Sequence, residues 1–385
     1  IVDGTGEKPF IGSVIIKDGK ISELTEKVDF DGENVIDVEG KVIAPGFIDI
    51  HTHSDASAIN LGGGEAYINQ GVTTEIGGNC GISLFPANDT YRDEINNFYS
   101  RTVELVPTDK NLKINNFEDY VDESLKNDFS VNVGLLIGHG TLRASVMGFE
   151  DRKATDEEME TMKKSLEDEL NSGAFGMSLG LIYPPSTYGD LDEFVELGKV
   201  LKKHDAILAA HIRNEGPRVF ESVEEMIEIG RRSEAHVHVS HLKLMGTSQW
   251  GRSDELLKLI DDARSEGVNI TADQYPYEAS STGLTALVPS WALSGGNEAM
   301  LKNLEERSDR LISDIENELK NRGGADRVLI THSNGTLENI NNKTLAEISE
   351  ILDKNPVDSA IEVLLNSKGE AATCLLYTSP SPRDS

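Results

Sequence analysis

The sequence predicts an α/β fold: a TIM-like (β/α)8 barrel, incomplete at its end, with a small β-sandwich portion in front of it. Three observations carry the prediction. From Pro45 onward, short apolar runs alternate with amphipathic segments of helical period, strand then helix seven or eight times over, which is the grammar of a parallel barrel. No G-x-G-x-x-G follows the first run, no phosphate-loop motif is present, and "NLGGGEAY" has the wrong spacing, so an open dinucleotide-binding sheet is disfavoured. Histidine and cysteine stand where the apolar runs end, the positions that form the mouth of a barrel.

Residues 1–44 read as the sandwich portion. They hold two expected hairpins, "FIGSVIIKDGKISELTE" around Asp18-Gly19 and "NVIDVEGKVIAP" around Glu39-Gly40, each with a turn dipeptide between alternating apolar positions. Residues 45–373 read as the barrel, its strands expected over 46–53, 72–79, 131–140, 174–183, 206–213, 236–243, 269–277 and 327–334. The segments between them are helical. "TDEEMETMKKSLEDELNSG" has a threonine cap, early acidic residues and a glycine stop, and "GDLDEFVELGKVLKKHD" and "SVEEMIEIGRRSE" repeat that pattern. Residues 374–385, "CLLYTSPSPRDS", break the composition with a Thr, Ser and Pro run that offers neither helix nor strand. They resemble a translated sequencing-adapter read, so this tail is expected to be foreign to the natural protein and the final barrel strand to be missing.

The 385 residues are 38% hydrophobic and 27% charged, with a formal charge of -31. That composition suits a large globular core, and the negative field disfavours nucleic acid and anionic membrane surfaces as partners. Two cysteines, Cys80 and Cys374, make no disulfide framework. No apolar run reaches transmembrane length. The chain begins "IVDGTGEKPF", with neither an initiator Met nor a charged and apolar leader, and a cytoplasmic location is expected. The oligomeric state stays open.

The chemistry is concentrated in a few motifs. In "FIDIHTHSD", His51 and His53 are two apart at a strand end, so both project from one face and can reach one point. Alone, such a pair is weak evidence for a metal site, because a two-residue spacing is common on an ordinary strand and histidine also packs or faces solvent. Cys80 in "GGNCGIS" ends the second run, His139 the third, His211 the fifth and His241 the sixth. With His139 set aside, four imidazoles and a thiolate exceed the complement of a single zinc site and suit two ions sharing one ligand. Cys80 is the natural bridge, its alternative being a small buried apolar residue. His236 and His238 share a strand face and read as structural or as partners of the ligands. His139 and Arg143, in "GHGTLR", lie near the mouth, with packing at the strand end an equal reading for His139.

"VIAPGFIDIHTHSD", "GVTTEIGGNCGIS", "HIRNEG", "HVSHLK" and "DQYPYEASSTGL" together resemble the amidohydrolase superfamily and, within it, the N-acyl-D-amino-acid deacylase (D-aminoacylase) group. The resemblance runs from the first strands to at least residue 290. It implies a zinc-dependent hydrolase barrel in which His51 and His53 hold a weaker metal, Cys80 bridges, and His211 and His241 hold a tight one. It further implies that Lys243 meets the substrate carboxylate or polarised oxygen, and that Tyr183 and Tyr275 stand near the acyl group. The NCG element separates this group from relatives that use a carboxylated lysine after the fourth strand, where "LGLIYPPS" has none. In the group, an Asp at the end of the last barrel strand takes the proton from water. No such Asp is visible here: "RVLITHSN" ends with His332 and resembles an inserted strand before the true eighth, so the general base is unknown and expected beyond the truncation. The implied substrate is a small N-acyl-D-amino acid, hydrolysed to a carboxylate and a free D-amino acid. Rival expectations are a related enzyme acting on cyclic amides or dipeptides, and a metal-binding barrel fragment without activity.

Overall fold

Apolar runs bounded by glycine and polar residues become strands, and the capped amphipathic runs between them become the helices that cover them. A computed structural model describes residues 1–30, 34–60, 63–96, 112–335 and 337–376. Seven of the eight expected runs form one parallel sheet in sequence order: β3 (Phe47–Asp49), β4 (Val72–Gly77), β5 (Asn132–Gly138), β6 (Gly176–Gly180), β7 (Ile207–His211), β8 (His236–Val239) and β9 (Ile270–Ala272). The sheet curls into part of a (β/α)8 barrel, with β3 and β9 as its ends. Its middle strands are covered on both faces: every residue of β6 is buried, as parallel sheets require. The helix Asp156–Ser172 has the expected capping box, Thr155 with Glu158, and stops at Gly173. Helices Leu191–Lys203 and Val219–Ser233 fall on the other two expected segments.

The eighth run does not join the barrel sheet, against its periodic reading as a barrel strand and in keeping with its resemblance to an inserted strand. β11 (Val328–His332) lies in a separate antiparallel sheet of order β10-β13-β11-β12, with β10 (Ala279–Gly283), β12 (Lys343–Thr344) and β13 (Ala372–Leu376). Its burial explains why. Val328 and Ile330 are buried while Leu329, Thr331 and His332 are not, the alternation of a strand covered on one face. Val328 and Ile330 pack into a second core with Leu345, Ile361 and Leu364, distinct from the core around β4 to β9. β13 also runs through Cys374, Leu375 and Leu376, where the sequence predicted neither helix nor strand. Cys374 pairs with Ser281 on one side and Leu329 on the other, so an open slot between two strands ordered these residues. Residues 377–385 of the expected tail lie outside the described residues.

At the amino end, β1 (Ser13–Lys17) and β2 (Lys20–Thr25) form the first expected hairpin. Asp18 and Gly19 both have positive φ, 52° and 72°, as a two-residue hairpin turn demands. The second hairpin forms only its turn, at Glu39 and Gly40. Val35, Ile36 and Val42 are exposed, so the flanking residues find no apolar face to pack on, and among the described residues they make no ladder.

Candidate metal centre and its cavity

Each candidate ligand is delivered by a strand end. After β3 the chain stays tied to β4, since the Thr52 N–H and hydroxyl both donate to the Ile76 carbonyl, at 3.0 and 3.1 Å. This holds His51 and His53 at the mouth although β3 itself ends at Asp49. After β4 the chain turns sharply. Gly78, Cys80 and Gly81 have φ of 72°, 54° and 75°, and a Cβ on Gly78 would sit 1.9 Å from the Leu136 carbonyl oxygen, so only glycine fits. Cys80 carries a Cβ in that left-handed region, as does His241 with φ 39°. Such strain collects at functional sites.

The outcome is a shared cluster. Cys80 Sγ lies 3.4 Å from His51 Nε2 and 3.6 Å from His241 Nε2. His51, His53 and Cys80 form one group and Cys80, His211 and His241 a second, with the ligand atoms of each group all within 4.8 Å of one another. Cys80 belongs to both. Both ring nitrogens of His211, and Nδ1 of His51, are buried without a hydrogen bond among the described residues. Buried polar atoms normally have partners. Converging imidazoles with orphaned nitrogens around one thiol form a donor set that fits zinc, and two overlapping triads fit a binuclear site.

Electrostatics favours the ligating state of Cys80 and His211, whereas His51 and His241 are held protonated: burial opposes their charge, yet Cys80 and Asp273 raise His51 to about 10, and Glu215 and Cys80 raise His241. Burial opposes ionisation of Cys80, but the charge of His51 and the nearby His211 and His241 hold its thiol well below the usual range. Burial, with the charge of His241, lowers His211, keeping it the neutral imidazole that a metal requires.

Two carboxylates that the sequence did not single out support the cluster. Asp273, just past β9, lies 2.8 Å through Oδ2 from His238 Nε2 and 3.7 Å from His51 Nδ1, while its Oδ1 accepts the His241 backbone N–H. Burial would raise this carboxyl, yet His238 and His51 hold it well below its usual value. Glu215 is buried beside Lys243 and 2.9 Å from His241 Nδ1. Against the cost of burial, Lys243, His211 and His241 keep it well below the usual carboxylate range. Both were detectable in principle: Asp273 at a strand end, Glu215 four residues after His211.

The other candidates separate into two sets. Lys243 Nζ is 2.8 Å from His241 Nδ1 and 5.4 Å from the Tyr275 ring centroid. Tyr183 packs edge-on against His211, and its hydroxyl is 3.1 Å from Thr282 Oγ1. All three line the same cavity as the cluster, about 1380 Å³ in volume, whose far wall is the second core's unit. His139 and Arg143 sit behind the mouth instead. His139 bridges Ser186 and Glu193, each at 2.8 Å, and Arg143 also meets Glu193. His236 and His238 both contact Thr271. His332 is exposed and pairs with Asn334.

Known proteins resemble this chain in sequence and fold. Residues 34–287 match the model described as the Amidohydrolase family. The chain is 36% identical to a D-aminoacylase of Alcaligenes xylosoxydans xylosoxydans over 284 residues, 74% of this chain and 57% of that protein. It is 35% identical to an N-acyl-D-aspartate deacylase of the same organism over 285 residues, 74% and 56% of the two. It thus spans little more than half the length of these curated relatives. The crystal structure of an N-acyl-D-glutamate deacylase from Bordetella bronchiseptica, complexed with zinc and a phosphonate inhibitor, superposes with a TM-score of 0.65 at 26% identity, covering 86% of this chain and 60% of that one.

Proposed function

The chain belongs to the amidohydrolase family, and from that premise we propose that it is the catalytic part of a zinc-dependent deacylase of N-acyl-D-amino acids. The observation that carries the reading is Cys80 shared between two histidine groups in a cavity wide enough for a small substrate. His211 and His241 with Cys80 would hold the tight ion, and His51 and His53 with Cys80 a weaker one. Bound zinc would supply a Lewis acid for the scissile carbonyl and lower the pKa of water.

The chain's own groups do the rest. Lys243, oriented by Glu215 and the Tyr275 ring, anchors the substrate carboxylate. Tyr183 is raised by burial and by the charge of Cys80, so it stays a phenol and can donate a hydrogen bond to an acyl oxygen gaining charge. Proton transfer is assigned to no described residue, because Asp273 is committed to His238 and the His241 backbone, and Glu215 to Lys243 and His241. No helix among the described residues is long and apolar enough to cross a membrane.

The test is release of free amino acid from paired D and L N-acetyl substrates by the intact protein that carries this chain, with zinc present. The D forms are expected to turn over and the L forms to lag by on the order of a hundredfold, because a misplaced carbonyl costs about that much. Equal kcat/KM for both, or activity confined to cyclic amides, defeats the assignment.

A further inference from the structure

Resting on the deacylase reading, we infer that His139, held by Glu193 and bonded to Ser186, is a positioning residue that sets where Tyr183 stands relative to the metal cluster. The loop after β6 supplies Leu181, Ile182, Tyr183, Pro184 and Thr187 to the cavity wall. Ser186 belongs to the same loop but is buried beneath it, with His139, Arg143 and Glu193. His139 Nδ1 is 2.8 Å from Ser186 Oγ, and its Nε2 is 2.8 Å from Glu193 Oε1, which also accepts from Arg143 Nε at 3.0 Å. Against the cost of burial, His139 and Arg143 hold the Glu193 carboxyl below its usual range. An ionised carboxylate only accepts, so the imidazole proton lies on Nε2, and Nδ1 takes the hydroxyl proton of Ser186. Ser186 Oγ in turn accepts the Gly180 N–H at 3.2 Å. Each link has one donor and one acceptor, and a buried network satisfied in this way is rigid.

His139 also stands against the turn that carries Cys80. It opens the helix His139–Met147 directly after β5, and the next residue, Gly140, donates its N–H to the Gly81 carbonyl at 2.9 Å. A Cβ on Gly138 would lie 2.5 Å from the Ile82 backbone nitrogen, so the two backbones touch with no side chain between them. The backbone around His139 is thus seated on the Cys80 turn while its imidazole holds the Tyr183 loop. From Ser186 the hold reaches Tyr183 through a tight turn: the Thr187 N–H bonds the Tyr183 carbonyl and the Tyr183 N–H bonds the Gly180 carbonyl, both at 2.9 Å. Arg213 clamps only the outer end of the loop, through the Thr187 and Gly189 carbonyls. A donor aimed at developing charge works when its place is fixed before the reaction. Displacing it slows the chemical step more than it weakens substrate binding.

The experiment is a double-mutant cycle on the intact zinc-loaded protein, with the N-acetyl-D-amino acid that it turns over fastest. Ser186→Ala removes one buried oxygen and cuts the link to His139, and Tyr183→Phe removes the donor that the link positions. Ser186→Ala is expected to lower kcat by roughly tenfold with KM within about twofold of the parent. In the Tyr183→Phe background the same change is expected to cost less than about twofold, since residues that act as a unit are not additive. A role in stability alone would lower Tm and leave kcat of the folded protein as it was. An unchanged kcat, a rise in KM alone, full activity in Tyr183→Phe, or an equal loss in both backgrounds overturns the inference and leaves the deacylase reading standing. No turnover by the parent overturns that reading and the inference with it. A phosphonate mimic of the tetrahedral intermediate supplies a readout free of turnover. Its Kd is expected to rise in Ser186→Ala in step with the fall in kcat while tightly bound zinc is retained. An unchanged Kd, or loss of the tight zinc, overturns the inference.

Discussion

Cys80 is placed by its backbone and ionised by its neighbours, two effects that a substitution can separate. Cys80→Ala keeps the turn between Gly78 and Gly81 but deletes the anion shared by both histidine groups, so zinc retained after dialysis should fall well below that of the parent, as measured by atomic absorption. Asp273→Asn retains size and hydrogen bonding while removing the charge that faces His238 and His51. Its zinc affinity should fall by roughly 10–100-fold, the usual effect of losing a carboxylate behind a histidine ligand, and competition with a chromogenic chelator reads this directly. Unchanged affinity would reduce Asp273 to a packing residue. Lys243→Met should behave differently: KM for a D substrate rises or kcat/KM falls while the tight zinc stays, because the ammonium anchors substrate and ligates nothing.

Between elements, a buried acid sets a pH dependence away from the metal cluster. Glu169, near the end of helix Asp156–Ser172, accepts the Phe117 backbone N–H at 2.7 Å and so ties on the helix Phe117–Ser124. Burial pushes its carboxyl up to about 7 from the ordinary 4.5. The folded state therefore holds a proton that the unfolded chain releases. Its contribution to stability is complete below the unfolded value near 4.5 and is lost as pH rises toward about 7. Glu169→Gln keeps an acceptor for Phe117 and cannot ionise. Its urea midpoint should match the parent's near pH 4.5 and exceed it at pH 8, and a difference independent of pH would refute the account.

At the scale of the whole molecule, two cores meet around one cavity, and the cluster ties together the ends of β3, β4, β7 and β8. A metal bound there stabilises only the folded state. At free zinc one hundredfold above its dissociation constant, the stabilisation is about 2.7 kcal/mol per site. Melting of the zinc-loaded protein should shift upward by several degrees relative to protein stripped with chelator, and the shift should vanish in Cys80→Ala. The formal charge of -31 adds self-repulsion to the folded state, which salt relieves in both forms alike.

Seven parallel strands, their helices and the gathering of His51, His53, Cys80, His211 and His241 at the strand ends were legible in the sequence, because strand period, helix caps and strand ends are local signals and a barrel brings strand ends together whatever lies between them. The same local character set the limit. The run at 327–334 has a strand's composition, yet its place beside β13 depends on a segment about forty residues later, and the alternating burial that distinguishes it from a barrel strand exists only once the second core has formed. Residues 374–376 read as structureless and became a strand because β10 and β11 leave a slot between them. Asp273 at a strand end and Glu215 four residues after His211 stand at positions the sequence shows, but a carboxylate becomes a support for a ligand only through what it faces. Packing alone brought Cys80 to His241 across 161 residues of chain, and set Glu215 against Lys243 and Asp273 against His238.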